Sequence, residues 1–323
     1  MHARAHRYRP RTAFVLAGGG SFGAVQIGML RALIEHGIEP DLVVGSSVGA
    51  INAAYFAGSP TLAGLEGLER IWRNLRRTDV LPLNWRGVFG LLKRGNHLVS
   101  SDGLRRLLEA HLPYRNLEQA SIPIHVVATD ILSGQPVVLS RGPAAPAVMA
   151  SSAIPGAFAP VEIDGRLLCD GAVASNTPVH AAARHGGRRL FVLPTGSATS
   201  LPLPPAGVLA NVVRAIGLLT QRQLAVECEH LGGQSECYVL PGACPPGMSP
   251  LDFSRTPELI DRAYAGACRW IAEGGMVQST VSPARLARRR TPVSLLRTRV
   301  RRASASSNGT VADRAGSWSF HPA

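Results

Sequence analysis

Two short apolar runs, TAFVLA at 12–17 and DLVVG at 41–45, each break at glycine and resume as a helical pattern, and nothing else in the chain limits its fold as much. An apolar run of five or six residues bounded by glycine reads as a buried strand. After the first run, Ala24 to His36 carries Ile27, Leu30 and Ile34 on one helical face before Gly37 stops it. After the second, Ser47 to Phe56 continues as an Ala-rich helix. The alternation recurs farther on. Leu104, Leu107, Leu108 and Leu112 repeat at helical spacing behind a Ser101/Asp102 cap, while 122–130, 188–195 and 236–241 read as strands. A long helix is expected over 207–230, and a last one begins at Pro257 and ends at Gly274. Strands alternating with helices predict an α/β fold, with a mainly parallel central sheet carrying helices on both faces of a single domain.

Composition narrows the partners. With 323 residues, 46% of them hydrophobic, the chain can bury a full core. The formal net charge of +13 would suggest nucleic acid, but it is unevenly placed. Residues 1 to 11 hold four Arg and no acid, and residues 281 to 323 hold nine Arg and one Asp, so the ends carry +12 of the total. A nearly neutral body gives no reason to expect a nucleic-acid groove. The chain therefore divides into a basic arm at 1–11, a folded domain at 12–280 and a basic, disordered tail at 281–323. The tail pairs its Arg with Val293, Leu296 and Val300, which also suits contact with an anionic membrane surface. So does the basic amphipathic stretch at 82–97, where Trp85, Val88, Phe89 and Leu92 stand among Arg86, Lys93 and Arg94; ordinary packing against the body is the plainer reading. Five Cys at 169, 228, 237, 244 and 268 lack CxxC spacing, against both a zinc site and a disulfide framework, and fit a reducing, cytoplasmic setting. No apolar run approaches the roughly 20 residues of a membrane span. The basic, apolar start resembles a signal segment, but its dense glycines and the lack of a clear cleavage site argue otherwise. No acids, His or Cys cluster at ligand spacing, so neither metal nor cofactor is expected.

The chemistry lies at the glycine breaks. GGGSFG at 18–23 places Gly18, Gly20 and Gly23 in the GxGxxG spacing of a dinucleotide-binding turn. That fingerprint also needs an acid at the far end of the second strand, and the only nearby acid, Asp41, stands at its start. Backbone amides of Gly18, Gly19, Gly20 and Gly23 at a helix N-terminus would equally suit a developing oxyanion. The second break, GSSVG, is GxSxG, with Gly45 and Gly49 flanking Ser47 in a strand-turn-helix context that exposes a nucleophilic serine. The competing reading makes Ser47 a simple helix N-cap. A nucleophile needs a base. Asp170, in LLCDG, follows an apolar strand and precedes Gly171, although an acid before glycine is also an ordinary turn signal. No histidine presents itself instead: His125 lies within a strand, and His180 and His185 are expected on the surface of the helix after Asp170.

Glycine loop, GxSxG and a late Asp-Gly, in that order and without an evident His, resemble the patatin-like phospholipases. AIPGAFAPVEIDG at 153–165 looks like that family's segment leading to its catalytic Asp. The resemblance implies a lipid acyl hydrolase with Ser47 as nucleophile, Asp170 as its partner in a Ser-Asp dyad, and Gly18, Gly19, Gly20 and Gly23 as the oxyanion loop. It implies an acyl lipid as substrate. One departure is Phe22, where family members commonly carry Arg or Lys before the last loop glycine. Two other functions fit parts of the pattern: a non-catalytic lipid-binding relative and a dinucleotide-binding oxidoreductase.

Overall fold

The computed structural model describes residues 11–80, 100–196 and 207–276, apart from 232, 243, 246 and 247. The stretch at 82–97 and the tail from 281 therefore lie outside the described residues. So does the N-terminal arm, except Arg11, whose carbonyl accepts from the amides of Arg188 and Arg189 and so belongs to the folded part.

Five parallel strands form the centre of the sheet: β1 (Thr12–Leu16), β2 (Leu42–Ser46), β3 (Ile124–Asp130), β7 (Arg189–Leu193) and β8 (Glu236–Val239). Their spatial order is β3-β2-β1-β7-β8. Beyond β3 the sheet turns antiparallel, through β6 (Arg166–Cys169) and β5 (Val161–Ile163), and β4 (Pro136–Leu139) also pairs with β3. The β5–β6 hairpin does not show in the apolar pattern. Its signal is Asp164-Gly165, both at positive φ (50° and 71°), the pairing that a tight two-residue hairpin turn requires.

Alternation along each strand sends side chains to two apolar layers, so the central strands read as continuous hydrophobic runs. Phe14, Leu16, Val43, Phe191 and Leu193 enter one layer with α1 (Ala24–Glu35), α2 (Val48–Gly58), α3 (Leu62–Asn74) and α10 (Thr256–Ala272). Ala13, Val15, Leu42, Val44, Leu190 and Val192 enter the other with α8 (Val179–Arg184) and α9 (Val208–His230). Shorter helices complete the described chain: α4 (Arg77–Val80), α5 (Asp102–His111), α6 (Ala144–Ser151) and α7 (Ala172–Ser175). Ser101 makes no side-chain cap on α5; Ser100 takes that place, its hydroxyl accepting from the Asp102 amide. No described helix is long and apolar enough to cross a membrane.

Strand register sets up the site. Leu16 pairs with Gly45 and with Leu193, Ser46 pairs with Val127, and Thr129 pairs with Cys169. The chain therefore leaves β1, β2 and β6 close together, placing the glycine loop, Ser47 and Asp170 at the end of the sheet where β1, β2 and β3 finish. The two histidines of the opposite layer take another course. His125 is buried, hydrogen-bonded to Ser140 at 2.6 Å and stacked on His185 with ring centroids 3.8 Å apart. His185, expected on the surface, is thus a packing partner. Burial, with the nearby charges of His185 and Arg11, pushes His125 down to about 4, so its ring is neutral near pH 7.

Candidate active site

Ser47 occupies the joint between β2 and α2 with φ 54° and ψ −127°. A non-glycine residue in that region costs on the order of 1–3 kcal/mol, and it persists only where the surroundings enforce it. Here the Ser47 amide donates to the Ser151 hydroxyl at 2.9 Å, and that hydroxyl donates to the Val127 carbonyl at 2.5 Å. Ser47 stands at the N-cap position of α2, but its side chain accepts nothing from the helix and is left for another partner. The two flanking glycines are required by close approach. A Cβ on Gly45 would run into the backbone of Gly49, and one on Gly49 into the carbonyl of Leu16.

The hydroxyl of Ser47 points across to Asp170, donating to Oδ2 at 2.7 Å over a sequence separation of 123 residues. Asp170 follows β6 and is held by its own backbone, whose amide donates to the Ala153 carbonyl at 2.9 Å. Its second carboxylate oxygen accepts from the Ala172 amide at 2.8 Å. Only 3% of the residue is exposed. Burial pushes the carboxyl up to about 6, and the bonds from Ser47 and Ala172 pull in the other direction, because they favour the charged form.

The glycine loop lies against this pair. A Cβ on Gly18 would stand 3.1 Å from Ser47 Cβ and 2.6 Å from Asn176 Oδ1, so the loop can approach the serine only as glycine. The four glycines divide by role. The Gly18 amide donates to the Asn176 carbonyl at 3.0 Å and is not free for a ligand, contrary to the expectation that it would be a donor. Gly23 packs against Val48 and Trp72, where a side chain would clash. Among the described residues no acceptor takes the amides of Gly19 and Gly20, and Gly20 lines the same cavity as Ser47. Phe22 packs against the core.

That cavity runs from Ser47 along α2, past Val48, Ile51 and Tyr55, between α3, α5 and the loop at 250–253. Leucines 68, 104, 107 and 108, with Ile71, Trp72 and Phe253, make its wall almost wholly apolar. An acyl chain is the kind of ligand such a wall accepts. The features a dinucleotide would need are missing. Asp41 uses its carboxylate on the Thr12 amide at 2.6 Å, at the end of the sheet away from the glycine loop. Among the described residues no three His, Cys, Asp or Glu converge to hold a metal.

Sheet order, glycine loop and GxSxG turn define an α/β domain, built on a mostly parallel sheet, of one particular kind. The family model for patatin-like phospholipase matches residues 14–183, more than half of the chain, and the chain belongs to that family. An uncharacterized NTE family protein of Mycobacterium tuberculosis is 36% identical over 173 residues, covering 53% of this chain and 45% of that protein. Patatin-like phospholipase domain-containing protein 7 of Rattus norvegicus is 27% identical over 290 residues, covering 81% of this chain and 21% of the relative. The chain thus spans less than half the length of these two relatives. Among solved structures, VipD from Legionella pneumophila is similar at a TM-score of 0.48 and 14% identity, over 82% of this chain and 67% of that one. Human GIVD cytosolic phospholipase A2 is similar at a TM-score of 0.47 and 14% identity, over 83% and 58%.

Proposed function

We propose that the chain is a lipid acyl hydrolase, cleaving carboxylic esters of phospholipids or other acyl lipids through an acyl-enzyme on Ser47. The observation that carries this reading is the 2.7 Å hydrogen bond to a buried carboxylate from the hydroxyl of Ser47, a residue that lines an apolar cavity. Membership of the patatin-like phospholipase family supports the choice of an acyl lipid.

The chemistry follows from the groups present. A free Asp, with a pKa near 3.9, is too weak a base for efficient work near neutrality. Asp170, raised to about 6, is still ionised at pH 7 and is a much better match. The Ser47 oxygen attacks the ester carbonyl carbon as its proton passes to Asp170 Oδ2. The carbonyl electron pair moves onto its oxygen, which the amides of Gly19 and Gly20 and the positive end of α2 stabilise. Collapse breaks the bond to the alcohol, which leaves with the proton held by Asp170. Water then attacks the acyl carbon and gives its proton to Asp170; Ser47 recovers that proton as the fatty acid departs. Gly18 and Gly23 serve by close packing, and Phe22 brings no charge to a substrate phosphate.

Labelling with a fluorescent fluorophosphonate tests the reading. The wild-type chain should be labelled, Ser47→Ala should not, and both should fold alike by circular dichroism. A folded wild-type chain that resists the label and hydrolyses no p-nitrophenyl ester would favour a non-catalytic lipid-binding protein.

A further inference from the structure

The apolar layer between the sheet and α1–α3 contains a chain of polar side chains that the mechanism above does not use. Trp72 Nε1 donates to Asn52 Oδ1 at 2.8 Å. Asn52 Nδ2 in turn donates to the Gly23 carbonyl at 3.0 Å and to Gln26 Oε1 at 2.8 Å. Gln26 Nε2 donates to the carbonyls of Ala17, at 2.8 Å, and Leu193, at 3.1 Å. Asn52 and Gln26 have no exposed surface at all, and Trp72 has 4%. Such a chain is costly to bury unless every member is bonded, and here each of Asn52's two N–H groups and its carbonyl has a partner.

The carbonyls it holds are informative. Ala17 and Gly23 are the two ends of the glycine loop, and between them the Gly18 carbonyl accepts from Thr195 Oγ1 at 2.5 Å. The Gly18 carbonyl shares its peptide plane with the Gly19 amide, so Thr195 sets that plane, while the bonds to Ala17 and Gly23 pin the two ends of the loop that carries Gly19 and Gly20. Asn52 stands on α2, the helix that begins immediately after Ser47. It therefore links the element that orients the serine to the loop that faces the serine. Trp72 extends the link to the cavity wall, because its ring lines the cavity and its N–H holds Asn52.

We propose that Asn52 is a positioning residue that sets the glycine loop against Ser47, with the Trp72 N–H as its anchor in the wall of the acyl cavity. The proposal rests on the hydrolase reading. A loop released at Gly23 would let the Gly19 and Gly20 amides drift from the oxyanion, and a displacement of about 1 Å can cost about 100-fold in rate. Substrate affinity, which depends on the cavity, should change little.

The test uses the full chain with p-nitrophenyl butyrate and with a fluorophosphonate. Asn52→Ala should lower kcat and the phosphonylation rate by about 10- to 100-fold with KM within about 3-fold of wild type. Trp72→Phe keeps the ring and removes the N–H, and should lower kcat by about 3- to 10-fold. Tyr114→Phe is the control: Tyr114 donates to the Ala54 carbonyl on the same helix at 2.7 Å, so its loss should lower Tm but leave kcat unchanged. Wild-type kcat and phosphonylation rate in folded Asn52→Ala would overturn the proposal, as would losses in both Asn52→Ala and Tyr114→Phe that simply follow Tm. If Asn52→Ala does not fold, Trp72→Phe decides by the same criteria. A wild-type chain inert to both reagents would instead overturn the hydrolase reading, and this proposal with it.

Discussion

Asp170 is kept in a position that favours its acid form. Its carboxyl is raised from 3.8 to about 6 by burial, so the folded chain binds the proton more tightly than the unfolded chain. The stability Asp170 lends the fold is therefore full below pH 3.8 and is lost as pH rises through 6. That loss amounts to roughly 3 kcal/mol at most. Asp170→Asn should preserve the acceptor for Ser47 while removing the buried charge. Urea melts should find the variant more stable than wild type at pH 8, with the gain gone at pH 4; an equal difference at both pH values would show that the charge is not the cause. The same variant cannot take a proton, and kcat should fall by on the order of 10⁴-fold. In the wild-type chain, kcat/KM for a soluble ester should rise with pH through an apparent pKa near 6. A profile flat from pH 5 to 8 would exclude Asp170 as the titrating base.

Among the elements, α1 and α10 show how closely packing constrains sequence away from the chemistry. Gly28, in the middle of α1, lies directly against the Ile260 carbonyl and Tyr264 amide of α10, so a Cβ there would meet main chain that cannot yield. Gly28→Val should force the helices apart at a cost of about 3 kcal/mol, a drop of about 6–12 °C in Tm. It should leave the kcat of the folded fraction unchanged, because Gly28 contacts neither the cavity nor Ser47. Thermal melting and active-site titration with a phosphonate separate the two effects. Elements also differ in how legible they are. β1, β2 and α10 carry strong local signals in their apolar runs and in Pro257. α3 does not stand out, although Leu65, Leu68 and Trp72 repeat at helical spacing behind Thr61, whose hydroxyl accepts from the Gly64 amide. β5 is hidden because three half-exposed residues carry little pattern.

At the scale of the molecule, charge and core are separated. The described core is complete by Met276, while +8 of the net charge lies beyond residue 280. Removing residues 281–323 should leave Tm and the hydrolysis of soluble esters unchanged, because that stretch has few apolar residues and none of the site. We propose that the tail helps the chain reach anionic membranes. The truncated chain should then lose binding to anionic vesicles but not to zwitterionic ones. Binding of the full chain should weaken as salt rises through the range where the screening length is about 8 Å. Co-sedimentation of both chains at two salt concentrations measures this, and equal sedimentation would make the tail a solvated extension.

By itself the sequence determined the strand-helix order, the glycine loop, the GxSxG turn and the acid-glycine exit at Asp170. Each of these depends on the sterics of a few consecutive residues, and sterics of that range are written in residue type. Only the tertiary structure decided which acid reaches Ser47, since a 2.7 Å contact across 123 residues depends on strand order and register. It also decided that the Gly18 amide belongs to Asn176 while no described residue accepts from those of Gly19 and Gly20, of which Gly20 lines the cavity, and that His125 stacks on His185 rather than serving as a base. The Trp72–Asn52–Gln26 chain was equally invisible in the sequence. An Asn or Gln in an Ala-rich helix looks like an ordinary polar position until packing removes every water and leaves the amide only protein to bond.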